Sequence, residues 1–374
     1  MLQGVNCKGI AFMEELVTEE YIKNKIPNIS KSYPFLNWTI KGTKIYSGQP
    51  PKITCAELDE CEETEFVTKC LSTFFTQEMN EIYIIKMKGT AKGAVLAVSC
   101  HCFGDAPLLG HLVSDLVSTK TDFPEVPKLV IEDLLKGIPD KHQTLTLSDP
   151  FIIPRNKEPK PGPLFYRGIA RSFDASRLVS TCKSIGIRPQ AFMSACDIYT
   201  ISKCFNLSPN FNILNQVSIN TRRMFGISSI SPMVKSSLVY LESHITNETN
   251  MKDLMQSLQK QIDLLVPNYQ LPHFKLLTYN KFDIKRPAAM ISNTGIIESE
   301  NADIWVQGGQ YTFREEERLL QSFTSHACTS RGKCNIVFTF IHPGCDNEFV
   351  NKYVEMMMNL FENPEKTIEL SIFE

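Results

Sequence analysis

The sequence predicts a mixed α/β (α+β) fold built as two sheet-containing subdomains. Three observations lead there. Short β-branched or apolar runs alternate with helix-periodic segments along the whole chain. Residues 120–163, ending in IPRNKEPKPGP, break that alternation with prolines and charges and read as a surface crossover. No segment recurs at a solenoid period. We therefore divide the chain into residues 1–160, which end in the crossover, and residues 164–374.

The elements of the first half follow in order. Leu36 to Ile45 reads as a strand. Glu65 to Phe75 is an amphipathic helix. Glu81–Met87 and Ala94–His101 are two apolar runs joined by KGTAKG, the composition of a hairpin turn. From Asp105 to Val117, Leu108, Leu109, Leu112, Val113 and Leu116 recur at helical spacing.

In the second half, Leu164–Phe173 is a strand. Asp174 is placed to cap a helix running through Lys183, with Gly186 as its stop. Pro189–Lys203 is a helix opened by its proline. Ile213–Thr221, Val234–Leu241, Ala288–Ser292, Ile304–Phe313 and Asn335–Ile341 read as strands. Met251–Leu265 and Asn347–Phe361 read as helices.

Composition excludes several function classes. The 374 residues carry a formal net charge of −2, so no basic field is offered to nucleic acid or an anionic membrane. The opening MLQGVNCKGIAFMEELVTEE has no basic region followed by a long apolar run, and no run reaches the roughly 18 apolar residues of a membrane helix. Twelve cysteines are scattered without a CxxC pair, which suits reduced thiols. The expectation is a cytoplasmic protein in which the sequon at Asn247 goes unused.

The stretch VSCHCFGDAPLLGHLVSDL contains two HxxxD pairs, His101–Asp105 and His111–Asp115. The spacing alone is a weak signal, so context separates them. His111 and Asp115 lie one turn apart inside a predicted helix, the ordinary pattern of a polar helix face. His101 instead ends an apolar strand, Cys-Phe-Gly turns, and Asp105 starts the helix. A histidine there can face a cleft on a rigid backbone, while Asp105 caps the helix. Two further segments end in short polar motifs: QVSINTR, with Asn220 and Arg222, and ISNTG, with Ser292, Asn293 and Thr294.

In this order and at these distances, the three motifs resemble the chloramphenicol acetyltransferase-like superfamily, which includes alcohol acetyltransferases, plant BAHD acyltransferases and peptide-synthetase condensation domains. The C-terminal NIVFTFIHPGCDNEFVNKYVEMMMNLFEN and the early KSYPFLNWTI are similar to further segments of it, so the resemblance spans nearly the whole chain. It implies two chloramphenicol acetyltransferase-like subdomains with a tunnel between them and His101 at its centre. His101 would be the general base, suited by a pKa near neutrality. It would deprotonate a small alcohol or amine acceptor attacking an acyl-CoA thioester, with no acyl-enzyme and no tightly bound cofactor or metal. A carrier-protein donor is the alternative. Asp105 would hold the histidine loop by pairing with Arg222, supported by Asn220, with Arg223 as fallback. Ser292, Asn293 and Thr294 are candidates on the oxyanion or acceptor side.

The sequence departs from the family pattern in places. Cys100 stands where many relatives have a first histidine, Ala106 replaces a glycine, and there is no DFGWG segment. Three rival readings compete. A thiol hydrolase using Cys100 or Cys102 suffers because successive strand side chains diverge from His101. A metal site at Cys100, His101 and Cys102, or at His326 and Cys328, lacks the paired spacing of zinc ligands. A degenerate acyltransferase fold kept for binding has no need of His101, Asp105 and Arg222 together.

Overall fold

The computed structural model describes the chain except residues 1–5, 42–43, 76–79, 101–103, 126–142, 144, 155–164, 221, 223–235, 269–286, 309–322, 343–346 and 374. Its first strand, β1 (Asn6–Met13), is buried along nearly its whole length. Ile10 and Phe12 point to one face and Ala11 and Met13 to the other, as expected of a strand covered on both sides. Sequence reading weighed this stretch only as a leader and missed the strand.

Helix α1 (Glu19–Ile29) follows, its first turn capped by the Thr18 hydroxyl, which accepts from the Tyr21 N–H. The expected strand over Leu36–Ile45 is corrected. Pro34–Asn37 form a 3-10 turn, and β2 (Trp38–Lys41) doubles back on β3 (Lys44–Ser47) with Lys41 opposite Lys44. Proline at the start of the 3-10 turn and Gly42 between the strands are the punctuation that a single strand ignores.

Then come β4 (Lys52–Leu58), α2 (Glu63–Thr73), β5 (Asn80–Met87), β6 (Gly93–Cys100) and α3 (Ala106–Val117). The second half contains β7 (Phe165–Asp174), α4 (Ala175–Ser184), α5 (Pro189–Cys204), β8 (Phe211–Asn220), β9 (Ser236–Ile245), α6 (Met251–Asn268), β10 (Ala289–Ile296), β11 (Ala302–Gln307), β12 (Phe323–Ser330), β13 (Lys333–His342), α7 (Asn347–Glu362) and the short α8 (Pro364–Thr367). Asp174 caps α4 by accepting the Ser176 N–H, and Gly186 takes a positive φ of 72° two residues past its end.

These elements form two main sheets. The first has five strands in the order β11-β1-β6-β5-β4, and the second has six in the order β7-β13-β12-β10-β8-β9. One face of the first sheet packs on α1 and α3, through Ile22, Ile26, Leu109 and Leu112. Its other face meets Phe66, Val67 and Leu71 of α2. Helices α4 to α7 cover one face of the second sheet, joining Phe192, Met255 and Met357 to Ile213, Ile291 and Phe338.

One strand crosses between the halves. β11 leaves the C-terminal half and pairs antiparallel with β1 at the edge of the first sheet. From there Trp305 packs in one core with Ala170 of β7 and Val337 of β13, so the two sheets meet along a seam. Of the crossover expected at 120–163, most lies outside the described residues. Thr146 and Leu147 within it donate backbone N–H bonds to the Glu242 carboxylate on β9.

Candidate functional site

The candidate site begins where β6 ends. Cys100 pairs with Asn6 across the β1–β6 ladder. His101, Cys102 and Phe103 lie outside the described residues. What flanks them is described. The Gly104 N–H donates to the Cys100 carbonyl at 3.3 Å, closing the chain over the intervening three positions.

Asp105 then fixes the far side. Its Oδ1 accepts the Leu108 N–H at 3.2 Å, the N-cap bond of α3. Its Oδ2 accepts from an Arg222 guanidinium N–H at 2.8 Å. Arg222 is fully buried and Asp105 is 3% exposed. The Asn220 side-chain oxygen accepts both the Arg222 backbone N–H at 3.1 Å and a guanidinium N–H at 3.5 Å. One carboxylate therefore caps a helix of the first half and anchors an arginine of the second. Charges this far from water are tolerated only when paired and hydrogen-bonded. Arg223, the fallback partner, lies outside the described residues.

The second HxxxD pair sits elsewhere. Asp115 accepts the Tyr33 hydroxyl at 2.7 Å near the C-terminal end of α3, and His111 is half-buried one turn before it.

The SNTG segment is split by the structure. Asn293 uses its side-chain oxygen to accept the Gly295 N–H at 2.9 Å, and its own N–H donates to Gln190 of α5 at 3.2 Å. A register shift between Asn293 and Ile296 marks a bulge, and Gly295 has a φ of 85°. Within it the Thr294 hydroxyl is buried without a hydrogen-bond partner among the described residues. Ser292 stands opposite His326 of β12, and His326 stands opposite Val337, a residue of the seam.

His326 was weighed in the sequence only as a metal ligand beside Cys328. The structure places it on the seam-facing side of β12, 3% exposed, against Gly308 at the end of β11. A Cβ on Gly308 would lie 2.1 Å from the His326 Nε2, so the imidazole occupies the room a side chain would need. The Cys328 thiol donates instead to the Ile304 carbonyl at 3.0 Å. Among the described residues no cluster of three His, Cys, Asp or Glu side chains is arranged to hold a metal ion.

Lys8, also unforeseen, lies on β1 opposite Gln307, 2% exposed. Its ammonium donates to the Leu71 carbonyl and lies 3.7 Å from the Phe75 ring centroid. Burial pushes its pKa down to about 7, with the nearby Cys70 opposing the shift. Neither His326 nor Lys8 carries a motif. What marks both is a polar side chain inside an apolar strand, which only tertiary placement interprets.

With the geometry established, comparison with known proteins is informative at one level. No family model matches the chain, and no curated protein matches it. Solved structures do match. A variant of the starter condensation domain of rhizomide synthetase, in complex with C8-CoA, superposes at a TM-score of 0.69 with 12% identity, covering 99% of this chain and 91% of that one. The condensation domain of the Monacolin K polyketide synthase MokA gives 0.67 with 10% identity, over 98% and 93%. Polyketide synthase associated protein 5 from Mycobacterium tuberculosis gives 0.66 with 13% identity, over 96% and 93%.

The chain has the condensation-domain fold. This is the chloramphenicol acetyltransferase-like architecture of two sheet-based halves that the sequence predicts. At these identities the likeness establishes the fold. No helix among the described residues is long and apolar enough to cross a membrane.

Proposed function

We propose that the chain is an acyltransferase that moves an acyl group from a CoA thioester to a small alcohol or amine, with His101 as general base. The observation that carries this reading is the Asp105–Arg222 pair, buried and 2.8 Å long, joining the two halves immediately after residues 101–103. Asp105 lies four positions after His101 in the HxxxD motif, so the acyltransfer reading takes the pair as the anchor of the histidine's loop.

The chemistry balances with this chain's own groups. The neutral imidazole of His101 takes the acceptor's proton as its oxygen or nitrogen attacks the thioester carbonyl. The tetrahedral oxyanion is met by a preset donor. Thr294 suits that role best of the SNTG residues, since its hydroxyl has no partner among the described residues whereas the Asn293 side chain is committed to Gly295. Collapse breaks the carbon–sulfur bond, and the imidazolium returns its proton to the departing thiolate. Asp105 and Arg222 touch neither substrate and act as positioning residues.

A carrier-protein donor is the second reading, suggested by the likeness to a condensation domain of a polyketide synthase, whereas the likeness to a condensation domain in complex with C8-CoA suits the CoA donor. Both readings share the chemistry at His101. The test is incubation of the purified protein with a panel of acyl-CoAs and pooled alcohols and amines, read by mass spectrometry, beside His101→Ala. Transfer by the wild type and none by a folded His101→Ala is the expected result. Activity of the variant within a few-fold of wild type would remove His101 from the mechanism. Transfer from a loaded carrier protein alone would select the second reading. Transfer from neither donor would favour a fold retained for binding.

A further inference from the structure

The two faces of the six-stranded sheet differ in kind. The helix-covered face is apolar, with Ile213, Val217, Ile291, Phe323, Ala327 and Phe338. The opposite face is also largely buried, yet it is polar. Register defines it. Gln216 of β8 stands beside Met290 of β10, Met290 beside Thr324 of β12, and Thr324 beside Thr339 of β13. Registered residues share a face. Thr339 accepts a hydrogen bond at 3.1 Å from the Gln307 side chain of the first sheet, so this face is turned toward the N-terminal half. Ser292 and His326 form the next row on the same face.

Within this face Gln216 is 2% exposed. Its carboxamide lies beside the Tyr240 hydroxyl, on the residue directly opposite it in the neighbouring strand. Its Oε1 is buried with no hydrogen-bond partner among the described residues. An acceptor buried and left unsatisfied is costly, so such a group calls for a donor that the described residues do not supply. Gln216 also lies four and six residues before Asn220 and Arg222, on the strand that leads to the Asp105 pair.

We propose that Gln216 Oε1 is a specificity-determining acceptor-recognition group. The structure thereby assigns the acceptor to molecules carrying a hydrogen-bond donor besides the group that is acylated: diols or amino alcohols rather than simple aliphatic alcohols. This rests on the acyltransfer reading and narrows it. A ligand O–H or N–H satisfies the open lone pair, and an aliphatic chain in its place leaves the oxygen buried and unpaired. Thr324, Ser292 and His326 line the same face and extend the polar surface available to such a ligand.

The test compares hexanol, hexanediol and aminohexanol at equal concentration, without acyl donor, by the shift each produces in melting temperature. The expected result is a larger shift with the diol and the amino alcohol for the wild type, lost in Gln216→Leu. Because Gln216→Leu leaves the neighbouring Tyr240 hydroxyl beside an apolar side chain, the double variant Gln216→Leu/Tyr240→Phe runs beside it and removes both polar groups together. Where transfer occurs, kcat/KM for the polar acceptors relative to that for hexanol falls about tenfold in these variants. Equal shifts for all three probes, no shift from the polar ones, or a preference that survives both variants would each overturn the assignment. The two proposals fail separately. Selective binding without transfer from any donor sinks the acyltransfer reading alone, and transfer that favours hexanol sinks the role of Gln216 alone.

Discussion

At the scale of single residues, the molecule's chemistry is concentrated in a few buried polar groups. Asp105 is the most constrained, serving a helix N-terminus and a buried guanidinium at once. Asp105→Ala strands the Arg222 charge and removes the cap, so we expect a stability loss of about 3–5 kcal/mol together with a large loss of activity. Chemical denaturation at neutral pH measures the first. An unchanged midpoint would show that the pair does not hold the loop. Asp197 poses a different problem. It is fully buried in the second core, accepts from Tyr353 at 2.5 Å and from the Asn215 amide, and burial raises its pKa to about 7. A carboxyl whose folded pKa lies above its unfolded value binds its proton more tightly when folded. Its contribution to stability is complete below about pH 4 and is lost as pH rises through about 7. The melting temperature should therefore fall between about pH 4 and pH 7 through this group. Asp197→Asn should flatten that part of the profile, and the same slope in the variant would assign it to another group.

At the scale of elements, close approach sets the tolerances. Helix α3 lies so tightly on β1 that a Cβ at Gly9 would sit 2.4 Å from the Leu109 carbonyl oxygen. Backbone cannot yield as a flexible side chain can. Gly9→Ala should cost about 1–3 kcal/mol by displacing α3, and with it the Asp105 cap at its N-terminus. Denaturation together with acyl transfer reads both effects, and a variant as stable as wild type would mean the helix can slide. Gly308 sets a parallel limit, because any side chain there meets the His326 ring. The elements themselves were largely legible from local pattern. The apolar runs of β5 and β6, joined by KGTAKG, and the 3.6-residue stripe of α3 are each legible on their own. The hairpin at Trp38–Ser47 was misread because one apolar run covers two short strands.

At the scale of the whole molecule, the two halves are bound by exchange as well as by contact. β11 belongs by sequence to the second half and by hydrogen bonding to the first. Residues 1–160 expressed alone lack that strand, leaving β1 with an unpaired edge and its core without Ile304 and Val306. We expect this fragment to show no cooperative thermal transition, and the full chain to unfold in a single one. Calorimetry distinguishes the cases, and a fragment that melts cooperatively would restore a boundary near residue 160 as an independent domain limit.

The division between sequence and tertiary structure follows the reach of the forces involved. Periodicity, caps and turn residues act over a few positions, so every helix but α1 and the short α8, most strands, the Asp105 and Asp174 caps and the Gly186 stop could be read from neighbours in the chain. Arg222 lies 117 residues from Asp105, and nothing local announces that the two will meet. Their pairing was expected only through the resemblance of three short motifs to a known superfamily. The strand β1 went unread because its buried faces are interrupted by Lys8 and Gly9, each of which makes sense only once α2 and α3 are in place. Gln216 and His326 are ordinary polar residues in strands until the register turns them to the seam between two sheets. Burial makes a polar group informative, and burial is a property of the assembled fold.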